Sequence, residues 1–147
     1  MFDEDKVGSA LLTKKKYAHI EKKVVDLYIE LKLNTHVKFT KKNLVFATRD
    51  KTGQIIFLET GKDDAGLKHI QQRHTREFYE AFSVKKENIP HFLYKVVREG
   101  NIVDNHIEIR NGRQTVTKVY DYQGNYYILT GVGTNGFIVT ARPAKKE

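Results

Sequence analysis

The chain has 147 residues, enough for one ordinary domain, and a 39% hydrophobic fraction with eight Phe and eight Tyr that can fill a core. It contains no Cys, which excludes a disulfide framework, a thiolate zinc site and a thiol nucleophile. Its net charge of +8 favours polyanionic partners, since each Lys or Arg that neutralises a phosphate releases counterions.

Residues 1–10 are polar and irregular, as expected of a linker or a frayed end. From Thr13 the spacing turns helical: Tyr17, Ile20, Val24, Leu27, Tyr28 and Leu31 recur at three and four residues, with lysines on the other face. Asn34 ends this predicted helix. Short strands are expected over 36–40 and 44–48, with Lys41 to Asn43 turning one back on the other. Asp50 to Gly53 is another turn signal, and 54–59 reads as a strand with a buried run. A loop over 61–64 then offers an Asp as N-cap to a helix that runs to about Phe82.

A second helix is expected around Ile89, Phe92, Leu93, Val96 and Val97, with Asn88 as cap, Pro90 in its first turn and Gly100 as its stop. Beyond Gly100 the pattern is strand-like throughout. Asn111-Gly112 is a strong hairpin signal. Thr115 to Tyr120 alternates, and the runs 126–130 and 137–141 flank a glycine-rich turn, Gly131 to Gly136. Four strands joined by three short turns make an antiparallel meander. The predicted fold is α+β, with N-terminal helices packed on a twisted antiparallel sheet of four or more strands. The expected organisation is an accessory segment over 1–50 and a core over 51–147, or one single domain over 1–147. No apolar run reaches the length of a membrane span and the N-terminus has no signal-peptide h-region, so a soluble chain is expected. It can still be one fragment of a longer exported protein.

The stretch richest in chemistry is Gly66-Leu-Lys-His-Ile-Gln-Gln-Arg-His74. His69 and Arg73 are four apart on a helix and share one face, turned away from the apolar stripe of Leu67, Ile70 and Phe78. An imidazole beside a permanent cation suits metal-independent RNA cleavage. There the 2′-hydroxyl loses a proton as it attacks phosphorus, the leaving 5′-oxygen gains one, and the phosphorane charge must be stabilised. His69 is the first candidate for proton transfer and Arg73 for the phosphate; the plain alternatives are an exposed histidine without a role and a surface ion pair. His74 falls on the apolar stripe, where a satisfied core histidine and a second catalyst are equally compatible with the spacing. Lys68 could add positive field or simply be solvated.

Gly133-Thr-Asn-Gly136, with Thr134 and Asn135 at its centre, could present backbone N–H groups to an anion, although a simple tight turn explains it better. Thr140 lies within an apolar run, so its hydroxyl needs an explanation. Tyr127 or Tyr126 could stack bases, but adjacent strand residues face opposite ways and one of the two belongs to the core. His19, His36, His91 and His106 are scattered. Metal catalysis is not expected, because His69 and His74 are five apart rather than four and no acidic cluster has ligand spacing. No cofactor motif is present either.

Together, the helix with Gly-x-x-His-Ile-x-x-Arg-His and the closing strands Tyr126 to Pro143 resemble the barnase–EndoU–colicin–RelE superfamily of nucleases, over roughly 54–143. The resemblance is nearest to the polymorphic toxins, including the C-terminal toxin tips of contact-dependent growth inhibition proteins. It implies a metal-independent endoribonuclease, most often acting on transfer RNA. Such a toxin is neutralised by a cognate immunity protein and in some cases assisted by a host translation factor. It acts in the bacterial cytoplasm after delivery as the C-terminal part of a larger secreted protein. By motif match, His69, Arg73 and His74 would come from the helix and Thr140 from the last strand, with Thr134 and Asn135 in the hairpin before it. The paired-histidine-plus-lysine order of a standard EndoU domain is absent. The rival expectations are a non-catalytic RNA-binding domain and a different toxin enzyme such as an ADP-ribosyltransferase, for which Glu108 is the nearest acidic candidate. An inhibitor of basic nucleases would tend to be acidic, against the charge found here.

Overall fold

In the computed structural model, residues 43–147 are described; the predicted helix beginning at Thr13 and the predicted strand over 36–40 lie outside them. Two short strands come first, β1 (Leu44–Arg49) and β2 (Ile55–Glu59), paired antiparallel. Asp50 makes the turn between them. Its Oδ1 accepts the backbone N–H of Thr52 at 2.9 Å and of Gln54 at 3.3 Å, an Asx turn that reverses the chain locally. Both strands are almost continuously apolar because both are buried, from Leu44 to Ala47 and from Ile55 to Leu58.

Helix α1 (Leu67–Phe82) buries Leu67, Ile70 and Phe78, the stripe its spacing predicts. Its start differs from expectation. Neither Asp63 nor Asp64 caps it; the N-cap is Gly66 and no side chain bonds the first turn. A short 3-10 turn over Lys86–Asn88 leads into α2 (Ile89–Glu99). Asn88 occupies the N-cap position there without a side-chain bond, and Pro90 sits in the first turn, where a missing N–H costs nothing. Ile89, Phe92, Leu93, Val96 and Val97 are all buried, as is Tyr94, whose ring meets Phe46 of β1 edge-on at 5.7 Å.

Then follow β3 (Asn101–Arg110), β4 (Arg113–Asp121), β5 (Tyr126–Gly133) and β6 (Ile138–Lys145), an antiparallel meander in sheet order β3-β4-β5-β6. Asn111 and Gly112 both take positive φ, 51° and 76°, the backbone that lets a two-residue turn follow the strands' twist. Pro143 lies within β6 opposite Ile128, and a residue without an N–H is tolerated there because β6 is the last strand of the sheet. The hairpin before β6 is fastened to β2: Phe57 N–H donates to the Gly136 carbonyl at 2.9 Å, and Phe57 bridges Phe137 in parallel.

The described residues are thus α+β: two helices, a four-stranded antiparallel sheet and a two-stranded sheet. The helices do not come first among them, since the β1–β2 hairpin precedes both. Residues of β1, β2, both helices and the inner face of the meander share one apolar cluster. Lys118 enters that interior because the Asp50 turn delivers a carboxylate to it; the two form a fully buried ion pair, with Tyr120 Oη donating to Asp50 at 3.5 Å. Burial, and secondly the Asp50 charge, push the Tyr120 hydroxyl far above its usual pKa. Among the described residues, no helix is long and apolar enough to cross a membrane.

Candidate functional site at the edge of the meander

Three backbone contacts fix the start of α1. Gly66 N–H donates to the Val139 carbonyl of β6 at 2.9 Å, and Lys68 N–H donates to the Thr60 carbonyl at 2.9 Å. Gly61 and Gly66 lie back to back, so closely that a Cβ on either would stand 2.8 Å from the other's Cα. Gly66 also has φ of 90°, which a residue with a side chain rarely adopts. The helix start is therefore wedged between the end of β2 and the middle of β6, and the third helical residue is His69.

The imidazole of His69 is held at both nitrogens. Nδ1 lies 2.9 Å from the Asp63 backbone carbonyl, and Nε2 lies 3.1 Å from Thr140 Oγ1. A carbonyl only accepts, so Nδ1 carries the hydrogen and donates. In the neutral ring this leaves Nε2 bare, and the Thr140 hydroxyl donates to it. The loop that supplies the carbonyl is itself held from the helix. Lys68 pairs with Asp63 at 3.3 Å, and that contact, with a further hydrogen bond from Gln72, keeps the Asp63 carboxyl below the usual carboxylate range.

Thr140 belongs to a row that crosses the whole meander. His106 pairs with Thr117, Thr117 with Gly131, and Gly131 with Thr140. Three strand spacings of about 4.8 Å make this row roughly 14 Å wide. The next row reads Asp104, Val119, Leu129 and Arg142. These side chains stand on the face opposite the apolar cluster. Between them lies a cleft of about 180 Å³, lined among others by Thr115, Thr117, Leu129, Gly131, Thr140 and Arg142. At the far end of the row the His106 ring sits between two carboxylates, 3.1 Å from Asp104 and 2.8 Å from Glu108. Its hydrogen bonds to Glu108 first, and to Asp104 second, raise its pKa above the ordinary imidazole value.

The other residues singled out from sequence fall in different places. His74 stands beside His69, ring centroids 5.9 Å apart and nearly perpendicular, and its Nδ1 donates to Glu77 at 2.8 Å. It is half-buried, between the two environments its spacing allowed. Arg73 is exposed one turn beyond His69. Lys68 is exposed and paired with Asp63. Thr134 is exposed at the tip of the last hairpin. Asn135 serves that turn: its Oδ1 accepts the Phe137 N–H at 3.0 Å, while Gly133 and Gly136 N–H groups are bonded to carbonyls within the hairpin. Those N–H groups are therefore not turned to an anion. Tyr127 lies under the Lys146 ammonium, 5.2 Å from ring centre to Nζ, opposite Ala144 and away from Thr140. Tyr126 packs on Phe82 at 5.9 Å.

Structure thus brings His69, His74 and Thr140 together and leaves Tyr127 apart. It adds Thr115, Thr117, Gly131 and Arg142, which sequence reasoning passed over. A signal for two of them was present. The Asn111-Gly112 turn fixes the β3–β4 register, which sets Thr115 and Thr117 on one face with His106 and Glu108. Among the described residues, no group of three His, Asp or Glu is arranged to hold a metal ion. No protein-family model matches the chain, and a search of curated proteins finds no match.

Proposed function

We propose that this domain is a metal-independent endoribonuclease of the toxin type, cutting RNA by attack of a 2′-hydroxyl on the adjacent phosphate. The observation that carries the reading is the His69–Thr140 pair at the rim of a hydroxyl-lined cleft. An imidazole whose Nδ1–H is committed to a carbonyl has its Nε2 lone pair ready to accept a proton. On substrate binding, the ribose 2′-hydroxyl takes the place of the Thr140 hydroxyl as donor to Nε2. His69 removes the proton as the oxygen attacks phosphorus. The P–O5′ bond breaks, leaving a 2′,3′-cyclic phosphate and a 5′-hydroxyl. His74, beside His69, is the nearest second imidazole that can return a proton to the leaving oxygen. Arg73, on the helix face of His69, contributes positive charge to the phosphorane. The basic balance of the chain supports a polyanionic substrate. The motif resemblance supports transfer RNA as the target, a cognate immunity protein as inhibitor and delivery within a larger secreted protein.

The test is incubation of purified protein with total RNA in excess EDTA, followed by sequencing of product ends. Cleavage should leave 2′,3′-cyclic phosphates, and His69→Ala should lower the rate about 10²–10⁴-fold. A His69→Ala protein that cuts at the wild-type rate removes the imidazole from the reaction. RNA bound but never cut indicates a non-catalytic RNA-binding domain instead.

A further inference from the structure

We infer that the glycine-floored cleft is a subsite for one unpaired nucleotide, its base lying over Gly131 and Arg142 meeting the neighbouring phosphate. The inference rests on the ribonuclease reading for which linkage is cut, but its geometry is independent of the chemistry. Gly131 is the one position of the row between Thr117 and Thr140 that raises no side chain. A Cβ placed there would come within 3.3 Å of Thr140 Cγ2 and would project into the space the cleft occupies. The resulting hollow, about 180 Å³, takes one nucleobase but not a stacked or paired one. Its walls are Leu129, which offers an apolar contact to a base face, and the hydroxyls of Thr115 and Thr117, which can donate or accept at a base edge.

Arg142 supplies the anion contact. It follows Thr140 by two residues on the same strand face, a separation of about 6.7 Å. Its side chain is exposed, and it makes no ion pair among the described residues, in contrast to Lys68, Arg76, Lys118 and Lys146, each held by a carboxylate. A phosphate at Thr140 and His69 therefore has a free guanidinium within reach of the next one. A base held in a duplex cannot enter the hollow without being unstacked and unpaired, a cost that is least for a strand already single. The substrate class that follows is an RNA whose reactive nucleotide is looped out or single-stranded.

The test is fluorescence anisotropy of the full chain with a mixed-sequence 2′-deoxy oligonucleotide, which cannot be cleaved by 2′-hydroxyl attack, offered single-stranded or annealed to its complement across a salt series. Single strands should bind at least tenfold tighter than duplex. Arg142→Ala should flatten the dependence of log affinity on log salt by about 0.7, the value of one phosphate contact on a single strand, and Arg142→Lys should restore it. Gly131→Val should weaken single-strand binding at least fivefold with the salt dependence unchanged. If the melting temperature shows that Gly131→Val is disturbed, Gly131→Ala takes its place. Equal binding of duplex and single strand, or an Arg142→Ala protein with the wild-type salt dependence, overturns the subsite. Total RNA is assayed for cleavage in parallel. A protein that binds as described and cuts nothing loses the ribonuclease reading and keeps the subsite; one that cuts RNA but ignores both substitutions loses the subsite alone.

Discussion

Thr117 and Lys118 are neighbours on β4 and live in opposite worlds. Lys118 points into the apolar cluster, where it is fully buried against Asp50 and its backbone carbonyl accepts from Thr130 Oγ1 at 2.9 Å. Thr117 points to the other face, half-exposed in the wall of the cleft. The face that hides a charge has satisfied it completely. On the opposite face the Thr115 and Thr117 hydroxyls line an open cleft with Gly131, Leu129 and Arg142, beside the contacts of His106 with Asp104 and Glu108. The sheet thus keeps its apolar packing on one side and an open, polar cleft on the other, residue by alternate residue.

The greatest loss is expected on the buried side. Lys118→Met leaves the Asp50 carboxylate alone in the interior and should cost about 3–5 kcal/mol of unfolding free energy. Pairing it with Asp50→Asn, which keeps an oxygen for the Thr52 and Gln54 N–H groups, should recover much of that loss in denaturant titrations. A double variant as unstable as Lys118→Met would mean the charge pair is not what holds this face. A smaller effect lies at the open face, where His106 bridges Asp104 and Glu108 at the surface. A raised native pKa means the contact contributes fully below about 6.5, the ordinary imidazole value, and fades as pH rises through the native value. His106→Gln should therefore lower the melting temperature slightly at acidic pH and not at all at alkaline pH, with the difference shrinking in high salt. An effect that grows with pH would contradict the bridging geometry. The smallest effect belongs to Thr117→Val, which should change stability by no more than about 0.5 kcal/mol, as expected of a surface position. A larger loss would show that this wall of the cleft is structural.

Much of the framework is legible in the residues. The stripe Leu67, Ile70, Phe78 locates α1, the stripe from Ile89 to Val97 locates α2, and Asn111-Gly112 locates the first turn of the meander. What periodicity cannot carry is distance along the chain. Lys118 reads as one more polar residue in an alternating strand, because its partner is 68 residues away in a turn. The start of α1 misleads for a similar reason: an Asp before a helix suggests a cap, whereas the start is set by a backbone crossing between two glycines. The closeness of His69 and Thr140, 71 residues apart, enters the sequence reading only through motif resemblance. The cleft itself requires the register of three strand pairs, of which the sequence specifies one clearly. Arg142 carries no signal of its own because, in the string, it looks like the beginning of a basic tail.

The crossing of Gly61 over Gly66 has a kinetic side. The loop that orients the His69 ring is closed by that crossing and by the Lys68–Asp63 pair, so the ring's direction is expected to be settled when the chain folds and not when a ligand arrives. On the ribonuclease reading proposed above, encounter with RNA should then proceed in a single step, its rate set by diffusion and charge, with no slow rearrangement of the imidazole trailing behind.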